Sequence, residues 1–452
     1  MLSFLHRNVI IAILLISLAQ LQAQDQNALL QPKINSPYSR FGLGDLVDQH
    51  LAAAGGMGGL SAAFVDAYNV NIMNPASLAR LQSTAFEVGF YAKYSSLEGQ
   101  DETQGIWSGN LNYLVLAFPL KNPINKVLDR DNSPWGLGMS FSLLPYSQVG
   151  YNIQIATDRG EDLGEVEQFL KGSGGTYRVN WGNALRYRNI AVGVNLGYTF
   201  GKILNSRRVE YNSFNNFYNT ELLDDISVGG LFFNVGVQYA YYFKKPGRDG
   251  VQVATSKRLV IGAYANPNLP FNTQTSRFYH RDNFEYGVLD TIVAPPIVEL
   301  DGTLPAEYGI GITYEKINNF RVGVEYKGAN WSSYENEAKD ESLSNTYRIS
   351  IGGEWTPNYI SYNSYLERVR YRFGAFYGND PRSFAGEQLT HFGLTLGFGF
   401  PIILPRQQVS FLNLAIEAGR FGLSDGLNET YARITLGFTL NDNSWFFKRK
   451  FN

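Results

Sequence analysis

The sequence predicts an all-β fold, a transmembrane antiparallel β-barrel of about fourteen strands with an N-terminal hatch segment plugging the lumen. Three observations predict it. Stretches of ten or more residues alternate apolar with polar or small side chains, again and again, as barrel strands do. The chain opens on an export signal, and no later apolar run is long enough for a transmembrane helix. Its 452 residues are 14% aromatic and only 17% charged, against about a quarter charged in soluble domains.

Residues 1–23 read as a secretory signal peptide: His6-Arg7 is the charged part, Val9 to Leu18 the apolar core, and Leu21-Gln22-Ala23 the cleavage site. Residues 24–40 are then an N-terminal periplasmic extension. The chain has no cysteine, so it holds no disulfide, thiolate metal site or lipid-anchored N-terminal cysteine. A net charge of −2 argues against a nucleic-acid partner.

Residues 41–82 differ from everything after them. Gly55-Gly56-Met57-Gly58-Gly59 is too glycine-rich for an ordinary helix and suits tight backbone packing inside another structure. Asn74-Pro75-Ala76 is a turn signal. The expected reading is a plug, with Gly58, Gly59, Asn74, Pro75, Ala76 and Leu78 as its motif.

The barrel is expected over 83–441, with strands at 84–98, 105–120, 135–156, 175–187, 189–204, 227–244, 257–280, 293–316, 319–332, 344–357, 367–380, 387–402, 408–421 and 429–440. Pro267, Pro270, Pro295 and Pro296 interrupt the seventh and eighth. An even count puts both barrel ends on one side, the periplasm for an exported barrel. Connections after even strands include the very short Arg188-Asn189 and Ile317-Asn318-Asn319, as periplasmic turns should be. Lys121 to Pro134 and Pro357 to Leu366 are longer than such turns need. Residues 442–452 form an aromatic-basic periplasmic tail.

Inward positions carry charge: Glu87, Arg178, Arg186, Arg188, Arg321, Glu325, Arg348, Arg368, Arg370 and Arg433. Unpaired charges in a confined lumen are costly, so a salt-bridge lattice closing the bore is the expected arrangement. An anion-selective lining is the other. Four histidines, His6, His50, His280 and His391, stand far apart, with no serine or carboxylate placed to complete a triad. No catalytic residue, cofactor or metal site is therefore expected.

The run Gly59-Leu60-Ser61-Ala62-Ala63, then Asp66-Ala67, then Asn74-Pro75-Ala76-Ser77-Leu78-Ala79, resembles the N-terminal hatch signature of the FadL family. The barrel pattern extends the likeness over nearly the whole chain. The resemblance implies an outer-membrane barrel passing small hydrophobic compounds through a lateral exit. A kink in the third strand forms that exit in the family, which makes Pro145 the candidate gate. Outer loops cover the family's ligand groove. Here Asp162 to Leu170 reads as a short amphipathic helix, with Leu163, Val166, Phe169 and Leu170 on one face and Phe214 and Phe217 nearby. The alternative is a non-transporting barrel subunit of an outer-membrane secretion or assembly complex, as in PorV-like relatives. Expected partners are outer-membrane lipid, a hydrophobic small molecule, and an envelope protein met through the N-terminal extension or C-terminal tail.

Overall fold

The computed structural model describes residues 34–99, 103–121, 133–158, 165–211, 218–246, 252–283, 288–293, 296–384, 386–404, 408–423 and 426–442. The signal peptide, most of the N-terminal extension and the C-terminal tail lie outside them. Fourteen strands form a closed antiparallel ring: β1 (Thr84–Glu98), β2 (Thr103–Pro119), β3 (Trp135–Asp158), β4 (Glu165–Tyr187), β5 (Ile190–Tyr211), β6 (Asn219–Pro246), β7 (Gln252–Asn266), β8 (Glu307–Lys316), β9 (Phe320–Ala329), β10 (Thr346–Trp355), β11 (Arg370–Phe384), β12 (Glu387–Leu404), β13 (Gln408–Gly422) and β14 (Asn428–Asp442). The ring shuts where β14 pairs with β1, from Asn428 opposite Glu98 to Asp442 opposite Thr84. No described helix is long and apolar enough to cross a membrane.

Alternation sorts the side chains. On β10, Ile349 and Ile351 are half exposed outward, while Ser350 and Glu354 are buried inward. Period-two patterning on a closed sheet gives an apolar outer wall and a polar interior. Rings on neighbouring strands meet at the end that carries the short turns: Trp135 with Tyr187, Trp355 with Tyr371, and Tyr371 with Phe398.

The expected seventh and eighth strands are each broken in two. Leu269–Asn283 continues β7 outward past Pro267, and Val298–Leu304 precedes β8 across Pro305. These outer pieces pair with each other, and the first also pairs with the outer half of β6. Proline lacks the N–H that a ladder needs, so the breaks fall beside prolines.

The helix expected at Asp162–Leu170 is absent from its described part. Glu165–Leu170 is strand, paired on one side with Asp158–Ile153 of β3 and, from Val166 on, with β5. Two available ladders outweigh a helical spacing of four apolar residues. Arg188 and Arg368 are also not in the lumen. Arg188 sits in the two-residue turn with φ 52°, and Arg368 lies in the 3-10 turn Leu366–Arg368 beyond the barrel rim.

The hatch crosses the ring as irregular chain. It holds one short helix, Ala52–Gly55, and one 3-10 turn, Pro75–Arg80. Asn74 caps that turn, its side chain accepting a hydrogen bond from the Ala76 N–H. Inward glycines let the plug backbone touch the wall. A Cβ on Gly262 of β7 would lie 1.9 Å from the Ala62 carbonyl oxygen, and one on Gly374 of β11 would lie 2.2 Å from the Gly58 nitrogen. Replacing Gly262 by valine is therefore expected to displace the Ser61–Ala63 stretch at a cost of about 1–3 kcal/mol. Limited proteolysis of the folded barrel should then cut the hatch, whereas the wild-type plug resists.

Candidate functional site

Two features of the molecule can carry function: the seat of the hatch and a gap in the wall. The hatch seat is polar, and its carboxylates and most of its arginines are bonded, while Arg321 Nη1 and Arg372 Nη2 are buried without a partner. Asp66 sits 2.7 Å from Arg370 and 3.4 Å from Arg321. Its other carboxylate oxygen accepts the backbone N–H groups of Tyr68 and Asn69. Burial works to raise the Asp66 carboxyl, but Arg370 and Arg321 outweigh it and hold it well below the usual carboxylate range. Arg321 also reaches Glu315 and Glu354. Arg372, which is fully buried, bonds Glu354 at 2.7 Å and Asn413 at 2.8 Å.

Of the other expected lumen charges only Arg348 makes an ion pair among the described residues; Glu325, Glu87 and Arg433 meet backbone or amide groups, and Arg178 meets two rings. Glu325 accepts hydrogen bonds from the N–H groups of Ser61 (2.5 Å) and Ala62 (2.7 Å). Glu87 does the same for Val70 at 2.7 Å. Arg348 meets Asp48 at 2.6 Å and stacks over Phe376. Arg433 donates to Asn112 and covers the Tyr91 ring. Arg178 lies between the rings of Tyr146 and Phe232 at 4.1 and 3.6 Å. Arg186 faces Gly136 near the Ala79 carbonyl. The arrangement is a lattice in which wall side chains satisfy plug backbone, rather than an open charged bore. Of the hatch motif, Gly58 donates its N–H to Thr395 and Asn74 donates to the Ala62 carbonyl. Pro75, Ala76 and Leu78 are buried in the plug, and Gly59 has φ +81°, a conformation that suits glycine.

The wall gap lies between β2 and β3. These strands pair only from Leu114 opposite Leu143 to Pro119 opposite Gly138. Pro145 stands two residues past the last pair, and the β3–β4 register shifts between Pro145 and Ser147. Proline cannot donate across the ladder and favours such a bulge. Beyond it β3 pairs with a different neighbour, because Asp45 and Leu46 of the N-terminal segment add to its edge opposite Gln148 and Ser147. Ser36 N–H donates to the Gly150 carbonyl and Val47 N–H to the Tyr146 carbonyl. Residues 34–47 thus occupy the gap from inside.

A cavity of about 660 Å³ opens at this place. Tyr177 and Phe200, both on the outward face, line one part of it. Gly175, Gly201, Val149 and Val228 line the part that reaches inward. Val149 and Val228 belong to an apolar cluster in the half of the lumen away from the short turns, with Leu43, Leu170, Phe271 and Trp331. Val166 is also buried and Phe169 is half-buried. Leu163, Phe214 and Phe217 lie outside the described residues. A second cavity, of about 160 Å³, has a mixed lining that includes the charged or titratable Asp48, Arg178, Glu307, Lys327, Arg348 and His391 and the apolar Leu46, Phe232, Trp331 and Phe376. His391 is 2.6 Å from the Tyr431 hydroxyl, which donates to Glu417 at 2.6 Å. No serine or other nucleophile joins that chain of hydrogen bonds among the described residues, and no cluster of three or more His, Asp or Glu there could hold a metal.

Sequence reasoning missed the wall gap's inner strap and the central part that Asp66 plays. Asp66 is one of three aspartates, with Asp45 and Asp48, in a hatch segment that faces a lumen already expected to hold arginines. That imbalance was the available signal.

The fold is shared with several channels of known structure. The Ralstonia pickettii toluene transporter TbuX superposes with a TM-score of 0.53 at 12% identity, over 87% of this chain and 98% of that one. A Pseudomonas aeruginosa FadL homologue gives 0.52 at 11% identity, over 87% and 98%. The P. putida toluene transporter TodX gives 0.52 at 14% identity, over 88% and 99%. These likenesses establish the FadL-like barrel fold. No curated protein sequence matches the chain. A family model described as BamG matches residues 5–452.

Two outcomes test the lattice. Asp66→Ala leaves Arg321 and Arg370 without their shared partner in the lumen, at an expected cost of about 3–5 kcal/mol; urea unfolding of the purified barrel should move to lower denaturant accordingly. Glu325→Ala strands the Ser61 and Ala62 N–H groups, at about 1–3 kcal/mol for each. Hydrogen exchange at those two amides should speed up while the exchange of strand amides stays slow.

Proposed function

The chain belongs to the BamG family, and from its wall geometry we propose that it is an outer-membrane barrel that exchanges small hydrophobic compounds with the bilayer through the gap between β2 and β3. One observation carries this reading. The cavity at the gap runs from the outward rings of Tyr177 and Phe200 to Val149 and Val228 of the interior apolar cluster. A hydrophobic molecule held there would leave water for apolar surface, a gain of roughly 25 cal/mol per Å² buried. The hatch and its charge lattice shut the direct route along the barrel axis, so the exit is sideways. Pro145 is the gate position because the β2–β3 ladder ends beside it. The short-turn end, with both barrel termini, faces the periplasm in this reading.

A second reading rests on a different observation. Much of the outer lumen is filled by the chain's own side chains: Leu43 from the N-terminal segment, and Trp331, Tyr334 and Ala338 from the connection after β9. A barrel so filled fits a non-transporting subunit of an outer-membrane secretion or assembly complex.

The deciding experiment is purification of the tagged native protein in mild detergent, with mass spectrometry of bound small molecules and co-eluting proteins. The transport reading expects an apolar ligand, and expects uptake to fall in Pro145→Val while the barrel still assembles. A stoichiometric envelope protein with no apolar ligand, and uptake unaffected by Pro145→Val, would retire transport in favour of the subunit.

A further inference from the structure

The connection from β10 to β11, residues 356–369, is long for the short-turn end. The matching connections there at Arg188-Asn189 and Ile317–Asn319 are two or three residues. Its length is used to build a folded loop. Asn358 N–H donates to the Glu367 carbonyl, Ser361 N–H to the Asn358 carbonyl, and Arg368 N–H to the Tyr365 carbonyl. Two further bonds tie the loop along the rim. Thr356 N–H donates to the Asn319 carbonyl on one side, and the Tyr365 hydroxyl donates to the Pro401 carbonyl of β12 on the other. The Tyr371 hydroxyl also holds the Leu366 carbonyl.

A loop with this much internal bonding has a fixed surface, and apolar and aromatic side chains make up the larger part of it, with Asn358, Asn363 and Glu367 exposed among them. Tyr362 is 96% exposed, Leu366 64% and Ile360 62%. Isolated exposed apolar residues need no explanation, but several grouped on one ordered loop do. The group is continuous with the outward wall. Ile402, which follows Pro401, the residue that Tyr365 binds, is exposed and shares the outward parity of Phe398 and Phe400, and Trp355 at the foot of the loop is exposed as well. Aromatic rings with a polar tip, next to a charged side chain on an apolar stem, suit the head-group boundary of a bilayer. Arg368 supplies that charge, with its guanidinium over the Tyr365 ring.

We propose that this loop is a membrane-interface anchor: Ile360, Tyr362 and Leu366 rest in the head-group layer of the leaflet at the short-turn end, extending the apolar wall of β10–β12 beyond the strand ends. The anchor sets how deep that side of the barrel sits, and it is independent of whether the barrel transports.

The chain has no cysteine, so single nitroxide labels can be placed without background. Tyr362→Cys and Leu366→Cys, each labelled in the otherwise intact protein, would be reconstituted into phosphatidylcholine–phosphatidylglycerol vesicles. Ile351→Cys on the outward wall and Asn189→Cys in a short turn provide the membrane and water references. The expected result is a collision rate with a water-soluble nickel chelate several-fold below that of Asn189→Cys at both loop positions, with oxygen collisions approaching those of Ile351→Cys. Nickel accessibility equal to that of Asn189→Cys at both positions would overturn the anchor and leave the patch to a protein partner. Should Tyr362→Cys disturb the loop, Ile360→Cys gives the same readout on the opposite limb.

Discussion

Everything in this barrel depends on how irregular backbone is kept satisfied where there is no regular ladder to satisfy it. The hatch brings a chain of N–H and C=O groups into the lumen, and each buried group left unpaired costs free energy comparable to a lost hydrogen bond. The wall answers with side chains. Glu325 takes two amides, Gln238 gives to two carbonyls, Asn195 and Asn234 give to the carbonyls of Ile72 and Met73, and Asn74 of the hatch itself spans to Val237 and Ala263. The polar inner face is thus specific to this plug and is not a generic wet lining. Glycines at the contact points let the backbones approach, and carboxylates at Asp66, Glu315, Glu354 and Asp48 compensate the guanidinium groups of Arg321, Arg348, Arg370 and Arg372.

The same constraint explains the gap. Where β2 and β3 part, two strand edges lose their partners, and open edges are not tolerated in hydrocarbon. One of them is repaired from within, by residues 36–47 lying along β3. The repair draws on the chain segment just before the hatch, so the state of the wall and the state of the plug are linked. The connection after β9 joins in. Lys339 donates to the Arg40 and Gly42 carbonyls, and the Gly42 N–H donates to Glu341.

Most of the ring was legible because period-two alternation is set by the backbone and survives any packing detail. β1 runs over Thr84–Glu98 as the pattern requires. The hatch was legible through glycine density and the Asn74-Pro75 turn. Less local features were not. Leu163, Val166, Phe169 and Leu170 have helical spacing, yet Val166 and Leu170 also share one face of a strand, and only the neighbouring ladders decide between the two. Pro267 announced an interruption but not that both halves would stay paired beyond it, Pro270 proved to lie inside a paired strand, and Pro305, beside the second break, was not among the prolines expected to interrupt. Arg188 and Arg368 fit the inward parity of their strands, and a turn and a 3-10 segment beyond the strand ends removed them from it. Asp66 was visible as part of a motif, while its two arginines come from strands some 250 and 300 residues later, a coincidence in space that no spacing records.

The position of the hatch directly before β1 bears on how the molecule comes to exist. β1 is the first strand made and β14 the last, so the ladder that shuts the ring joins the two ends of the barrel sequence and carries the largest loop-closure entropy. Until those strands meet, the ring is an open sheet with room for the plug. Once they meet, the plug is fixed on one side by its covalent link to β1 and on the other by its edge pairing with β3. The partners of Asp66, Glu325 among its neighbours, and Gly374 sit on strands made late, so the seat is complete only when the ring is. The plug's full set of contacts, drawn from strands at both ends of the barrel sequence, therefore exists only in the closed ring.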